Sequence, residues 1–485
     1  MIEAARMAAV DANAAALGVP RKQLMESSGA AVARAVREVA DPGASVALVC
    51  GRGNNGGDAM VTARFLSAYE PTIHLLGRPG TIRTEIAREN WEAARAAEIE
   101  ARVVRDSRAL DLGDPDVVVD AMLGTGATGA PREPERSAVA AVNGADATVV
   151  SVDVPTGVDA DTGEAPGAAV AADRVVTFHD AKPGLESLDA GTTVADIGIP
   201  RAAERLVGPG DLLGLDRDPG SHKGEHGEVL VIGGGPYTGA PALAAGAAQR
   251  AGADLVRVAC PDAIAREVQA FEPGLIVRPF DGDRLTPDAV PGLLDRAREH
   301  DAVVLGPGLG DAERTLAAVR DLLDGYGGRA AVDADALRAV PGTTTDATLV
   351  CTPHAGELAA MGYEAGDDRA AREVAAARAA ADLGATVLLK GRHDVASDGE
   401  RVRVNRTGTP AMTVGGTGDV LAGAVGALLA TTDPRLDPIA AAAVGAYAAG
   451  VAGELAAGGH EQGLRAADLL DRLPAALGGE GGDRI

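Results

Sequence analysis

Short apolar runs punctuate the chain and alternate with stretches of helical periodicity. SVALVC (45–50), PTIHLL (71–76), DVVVDAML (116–123), ATVVSVDVP (147–155) and DRVVTF (173–178) are apolar almost throughout, without the in–out alternation of a half-exposed strand. Runs of this kind, separated by helix-length segments, predict a parallel sheet covered on both faces. The pattern restarts with GEVLVIGG (227–234), DLVRVAC (254–260), DAVVLGPGLG (301–310), RAAVDADAL (329–337), TLVCTPH (348–354) and TVLLKG (386–391). It closes on two Ala-rich helices near 419–430 and 438–457. Between the two series, VGPGDLLGLDRDPG (207–220) is rich in Gly, Asp and Pro and reads as a linker. The expectation is an α/β protein of two domains, 1–213 and 222–485, joined over 214–221.

Composition narrows the classes of function. A chain of 485 residues is long enough for two domains, each with its own core. It carries 45 basic and 70 acidic residues, a formal charge of −25, and lysine occurs only at Lys22, Lys182, Lys223 and Lys390. So negative a surface repels phosphate backbones and anionic lipid, so neither nucleic acid nor membrane is expected as a partner. Abundant carboxylate with scarce lysine is expected of a protein from a high-salt cytoplasm. An apolar share of 46% argues for packed cores rather than disorder. The N-terminus has no uninterrupted apolar segment, and the uncharged stretch 438–453 is mostly Ala and Gly, too weakly apolar for a membrane span. Cys50, Cys260 and Cys351 each end an apolar run without metal or redox spacing; buried strand-end thiols of a reducing cytoplasm are expected.

The first candidate site begins at GRGNNGGD (51–58), which follows a strand and opens a helix from about Asp58. Its glycines satisfy GxGxxG, a pattern that brings backbone N–H groups close to a pyrophosphate. The Asn pair and Asp58 are more specific, since they add amide oxygens and a carboxylate. Two more strand ends carry acids, Asp120 in VVVDAMLGTGATGA and Asp153 in SVDVPTGVDADTG. Ligands of open α/β sheets bind beyond strand carboxyl ends, so Asn55, Asp58, Asp120, Asp153 and Thr156 are expected to converge there. Their oxygens suit a hard cation. A lone strand-end Asp ordinarily caps a helix; three such loops in one domain weaken that alternative.

Together GRGNNGGD, VDAMLGTG, SVDVPTGVDADTG and TFHDAKPGL resemble the NAD(P)H-hydrate epimerase domain, over most of residues 1–213. The resemblance implies a Rossmann-like parallel-sheet sandwich. It implies substrate contacts from Asn54, Asn55, Gly56, Gly57 and Asp58, from Gly124, Thr125, Gly126, Ala127, Thr128, Gly129 and Ala130, and from Asp153. It also implies a potassium ion on Asn55, Asp120 and Thr156. Thr156 stands where Ser is commoner and Ala59 replaces a usual Gly; Thr keeps the hydroxyl. Asp153 is the candidate proton shuttle.

In the second half, GGTGDVLAG (415–423) is a Gly-rich turn feeding a helix. Its amides and the helix dipole suit an anion. Asp419 would oppose that role and makes sense instead as a catalytic base beside a transferring phosphoryl group. The pattern resembles the ribokinase-like superfamily of α/β kinases. SHKGEHGEVLVIGGGPYTGAPALAA (221–245), LGPGLG (305–310), VDADAL (332–337), TPHAGE (352–357) and LLKG (388–391) resemble, more narrowly, the ADP-dependent NAD(P)H-hydrate dehydratase. That resemblance covers nearly all of residues 221–470. It implies substrate contacts at Ala240, Gly308, His354 and Asp419. It implies adenine-nucleotide contacts at Lys390, Gly391, Arg392, His393, Asp394 and Gly418, with ADP as co-substrate and Mg²⁺ on its phosphates. His354 also has a plainer reading as a turn-stabilising residue.

The combined expectation is a bifunctional repair enzyme for hydrated NADH and NADPH. A small-molecule kinase with a nucleotide-binding regulatory first domain is the alternative, and a ligand-sensing first domain without catalysis is a third. A homo-oligomer is expected, since the Ala-rich terminal helices offer a subunit interface.

Overall fold

The computed structural model describes residues 1–478 apart from 216, 432 and 434. It divides into two compact units, Met1–Ala203 and Glu204–Ile485. The first is built on a sheet of β1 (Ser45–Cys50), β2 (Glu70–Leu76), β3 (Glu100–Val104), β4 (Val117–Ala121), β5 (Thr148–Val152), β6 (Arg174–Phe178) and β7 (Gly191–Ala195). Its strand order is β3-β2-β1-β4-β5-β6-β7 and every pair is parallel. Helices α1 (Ala4–Ala16), α2 (Arg21–Val39) and α3 (Asn54–Phe65) pack on one face around Leu48, Met60 and Ile73. Order reverses between β1 and β4, which opens a crevice outside their carboxyl ends.

The second sheet holds β8 (Glu228–Ile232), β9 (Leu255–Ala259), β10 (Ile276–Val277), β11 (Ala302–Leu305), β12 (Arg329–Val332), β13 (Thr348–Cys351), β14 (Thr386–Leu389), β15 (Asp394–Ser397) and β16 (Val402–Asn405). The order is β10-β9-β8-β11-β12-β13-β14-β15-β16. Pairing is parallel up to β14, after which β15 and β16 return antiparallel. Here too order reverses, between β8 and β11. Both units are therefore α/β, as expected.

Three details depart from expectation. The units divide at 203/204, ten residues before the expected 213/214, because the segment after Ala203 is packed rather than linking. Val207 N–H donates to the Val404 carbonyl at 2.9 Å, and the Arg403 guanidinium meets Asp211 at 2.7 Å. The helix at the Gly-rich loop begins at Asn54, four residues earlier than expected. Gly56 allows this, since a Cβ there would run into the Gly51 carbonyl oxygen. Finally, the helix Pro438–Ala457 is long and apolar enough to cross a membrane by length and composition, with mean hydropathy 1.5. Two-thirds of that stretch is buried in the second unit, where the helix packs on Thr417–Ala430 and on β14–β16. The three cysteines are buried and unpaired at strand ends, and burial pushes the Cys351 thiol up to about 12 and Cys260 to about 11.

Candidate active sites

The first site gathers at the ends of β1, β4 and β5. Asp120 is the last-but-one residue of β4 and is fully buried. Its oxygens accept from Thr156 N–H (2.8 Å), the Thr156 hydroxyl (2.7 Å), the Ser151 hydroxyl (2.9 Å) and Met122 N–H (3.3 Å). Burial raises its pKa despite those bonds, because every donor is neutral. The Thr156 hydroxyl in turn accepts from Leu123 N–H at 3.1 Å, and Asn55 donates to the Leu123 carbonyl at 2.8 Å. Asn55, Asp120 and Thr156 thus share one hydrogen-bond chain, although they lie on three loops. Gly124 rests on the Asn55 side chain, and a small cavity lies between Gly124, Ala127, Gly129, Pro155 and Gly157. Gly126, Thr128, Gly129 and Ala130 are exposed along its rim, with Thr125 half-buried.

Asn54 is exposed at the start of α3, whereas Gly56, Gly57 and Asp58 are buried. Asp58 points into a second cluster that the motifs did not announce. Burial, then the charges of Asp153 and Asp11, push its carboxyl well above the usual range. Asp11 on α1 is raised to about 6, first by burial, with Arg21 opposing and Asp153 reinforcing. Asp153 itself accepts from the Thr177 hydroxyl at 3.2 Å and pairs with the ammonium of Lys182 at 3.2 Å. Lys182 is fully buried. Lys182 lies within TFHDAKPGL, where nothing local marks it as functional; Asp11 has no local motif, only its place on a packed helix.

The second site forms where β8, β11, β12, β13 and β14 end, facing the start of the helix Thr417–Ala430. Lys390 Nζ lies 2.7 Å from Asp333 Oδ1 and 3.5 Å from Glu357 Oε2. Asp333 also accepts from the Thr352 hydroxyl at 2.8 Å. Gly418 faces both, since a Cβ there would sit 3.3 Å from Lys390 Nζ. Burial would depress the Lys390 ammonium, but Asp333, Glu357 and Asp419 outweigh it and its pKa rises. Asp419 is pushed up to about 7, first by burial and then by Asp333, with Lys390 opposing. Ala240 and Gly308 meet across the mouth, where a Cβ on Gly308 would lie 3.2 Å from that of Ala240.

His354 caps the helix Ala355–Ala360: its Nδ1 accepts from Glu357 N–H at 3.1 Å, and its own N–H donates to Glu357 Oε2 at 2.7 Å. The turn-stabilising reading therefore holds, while the ring remains exposed beside Glu357. Gly391 and Arg392 are exposed, and His393 is half-buried. Asp394 is occupied by Gly391 N–H (2.9 Å) and the Asn405 amide (3.0 Å), which fold the turn into β15. Asp333 and Glu357 went unnamed in sequence, though VDADAL and TPHAGE contain them. Among the described residues no three His, Cys, Asp or Glu side chains are spaced to hold a metal ion by themselves.

Among the described residues, the non-glycine positions with left-handed backbone are Glu98, Asp153, His179 and Ala334, with φ from 54° to 67°. Asp153 and Ala334, the latter next to Asp333, fall at the two sites. Such strain persists where surrounding structure holds it, as it does at functional positions.

Two α/β units, each with unusual carboxylates at the switch of its sheet, define a two-site enzyme. Residues 229–475 match the family model described as NAD(P)H-hydrate dehydratase, and 21–184 match that of the YjeF-related protein N-terminus. A bifunctional NAD(P)H-hydrate repair enzyme from Pyrobaculum aerophilum is 45% identical over 98% of both chains. One from Methanothermobacter thermautotrophicus is 43% identical over 97% of this chain and 94% of its own. Among solved structures, an ADP/ATP-dependent NAD(P)H-hydrate dehydratase from Bacillus subtilis is 28% identical, covering 54% of this chain and 92% of that one, with a TM-score of 0.47. The chain belongs to the family of bifunctional NAD(P)H-hydrate repair enzymes.

Proposed function

We infer that the first unit interconverts the R and S hydrates of NADH and NADPH, and that the second dehydrates the S form at the expense of ADP. The observation that carries the reading is Asp419, a half-buried carboxyl with a pKa of about 7, at the start of a helix and within the field of Lys390. A general base works best when its pKa is near the working pH.

Hydroxide is a poor leaving group. Asp419 takes the proton of the C6 hydroxyl as that oxygen attacks the terminal phosphorus of ADP, and AMP leaves. The ring nitrogen lone pair then expels phosphate from C6, and loss of a C5 proton restores the reduced nicotinamide. Lys390, Gly418 and the amides of the Gly415–Gly416 turn stabilise phosphate charge. Lys390 also holds Asp333 and Glu357, the acids available to a nucleotide-bound Mg²⁺. Mg²⁺ supplies further neutralisation of the phosphates when bound, and it commonly takes one or two carboxylates rather than a protein cage. Ala240, Gly308 and His354 line the approach, and the turn Gly391, Arg392, His393 and Asp394 borders the adenine side.

In the first unit epimerisation removes and returns the C6 hydroxyl or opens the ring. Asp153 shuttles the proton, while residues of the α3 start and of 124–130 seat the nucleotide. Asn55, Asp120 and Thr156 suit a potassium ion, because Asp120 is a fully buried carboxylate with only neutral donors and gains from a single positive charge. The cation would neutralise Asp120 and fix the three loops. Buried free thiols and an acidic surface support a salt-rich cytoplasm as the setting of the activity.

The kinase alternative rests on the Gly-Thr-Gly-Asp turn alone. The dehydratase family match across 229–475 favours the repair reading.

A single assay tests both halves. Purified chain is mixed with an R/S mixture of hydrated NADH, ADP, Mg²⁺ and KCl, and recovery of the reduced-nicotinamide absorbance is followed. Complete recovery is expected. A plateau at the S fraction would leave only the second activity, and absence of ADP-dependent recovery would sink the dehydratase reading. Asp153→Ala is expected to impose that plateau while the ADP-dependent phase persists.

A further inference from the structure

Of four lysines in the chain, Lys182 alone is completely buried. An ammonium is among the costliest groups to bury, and elsewhere this chain forms its ion pairs mostly with arginine at the surface. All three Lys182 protons are committed. Two go to main-chain carbonyls of its own loop, Phe178 (2.8 Å) and Asp180 (3.1 Å). The third faces Asp153 Oδ1 across the gap from β6 to β5, at 3.2 Å. The ammonium is therefore fixed to the loop and its charge is presented to one oxygen. The Thr177 hydroxyl donates to that same Oδ1. Asp153 Oδ2 takes no hydrogen bond from a described residue.

Asp153 is held in left-handed backbone at φ 67°, with its N–H on the Val176 carbonyl at 2.8 Å. Two further acids, Asp58 and Asp11, lie close enough for its charge to raise them both. His179 and Arg21 are further charged or titratable groups near this cluster. Three carboxyls thus compete around one ammonium, and only Asp153 contacts it. That asymmetry singles out Asp153: it alone has the ammonium in contact, while burial raises both Asp58 and Asp11. Adjacent acids in different surroundings are what a proton shuttle needs.

We propose that Lys182 is a positioning residue of the first site, which by gripping Oδ1 fixes the Asp153 carboxyl in place and leaves Oδ2 for the substrate. The proposal rests on the epimerase reading of this unit.

The test uses the full chain and measures epimerisation as the slow, R-dependent phase of the repair assay. ADP-dependent turnover of S hydrate reports the second unit, and circular dichroism and thermal unfolding report folding. Lys182→Met, which keeps the length of the side chain and removes its charge, is expected to lower the epimerisation kcat by about 10²-fold or more with KM within a few-fold. Lys182→Ala opens a cavity, and ethylammonium is expected to restore at least a tenth of the lost rate, whereas propanol of similar size is not. A folded Lys182→Met within a few-fold of the unsubstituted chain overturns the proposal. So does equal rescue by amine and alcohol, which marks a packing role, and so does failure of both variants to fold. If the unsubstituted chain shows no R-dependent phase, the epimerase reading itself fails and the proposal with it; a normal phase unaffected by substitution sinks the proposal alone.

Discussion

Asp419 is under two opposed demands, and a single substitution separates them. Its carboxyl titrates at about 7 because burial and the charge of Asp333 disfavour the anion, only partly relieved by Lys390. As a base it must be ionised, so ADP-dependent dehydration is expected to fall as pH drops through about 7, a limb that kcat on S hydrate would trace. Folding stability runs the other way. A carboxyl whose pKa rises from 3.8 unfolded to about 7 folded contributes stability below pH 4 that is lost as pH climbs toward 7. Asp419→Asn removes the base and the buried charge together. It is expected to cut dehydration by roughly 10²–10⁴-fold while leaving epimerisation intact. At pH 8 it is expected to stabilise the second unit by about 2–4 kcal/mol, a gain that vanishes near pH 4. Urea unfolding across that range, with the second unit followed separately, reads the crossover. A variant that is inactive but no more stable at pH 8 would mean that Asp419 is not held ionised against its surroundings.

At the scale of elements, the placing of Asp419 depends on how closely its helix meets the helix Gly239–Arg250. Gly423 lies one turn beyond Asp419, and a Cβ there would strike the Ala244 carbonyl oxygen. Gly423→Ala gains roughly 1 kcal/mol of helix propensity. It must also move main chain, which typically costs about 1–3 kcal/mol or more, so net destabilisation is expected. Dehydration should fall as well, because Asp419 shifts with the helix; a fully active, stabilised Gly423→Ala would show that the helices have room to part. Elements of this kind were legible where they are buried. The runs 45–50 and 438–457 became β1 and a core helix at the expected bounds, since burial of most positions writes a nearly continuous apolar signature. Edge elements write none. β3 and β7 are largely exposed, and the β15–β16 hairpin adds short strands beyond the last recognised run, so all were missed. The site was legible in the same uneven way. Asp120, Asp153 and Asp419 end strands or open a helix inside recognisable Gly-rich motifs. Asp11 comes from a helix more than a hundred residues from its partner Asp153, and only the folded packing of α1 brings them together.

Over the whole molecule, a charge of −25 acts in two separable ways. Acidic surface repulsion is long-ranged and indifferent to which cation screens it: the Debye length shrinks from about 10 Å at 0.1 M salt to about 3 Å at 1 M. The substrates are polyanions too, so raised salt also weakens repulsion between enzyme and nucleotide. Both effects should be nearly the same in NaCl and KCl. The oxygens around Asp120 are a different matter, because a fixed set of loops selects by ion size and ease of dehydration. The thermal unfolding midpoint is therefore expected to climb from low salt toward 1 M equally in either chloride. Exchanging Na⁺ for K⁺ at constant ionic strength is expected to raise epimerisation several-fold and leave S-hydrate dehydration at saturating substrate much less affected. Asp120→Asn, which keeps the shape of a fully buried side chain while turning one of its two accepting oxygens into a donor, should abolish that cation preference. Equal epimerisation in both salts would remove potassium from Asn55, Asp120 and Thr156. A midpoint that ignores salt altogether would mean that the carboxylates are spaced too widely to repel, and that the acidity is not an adaptation to brine.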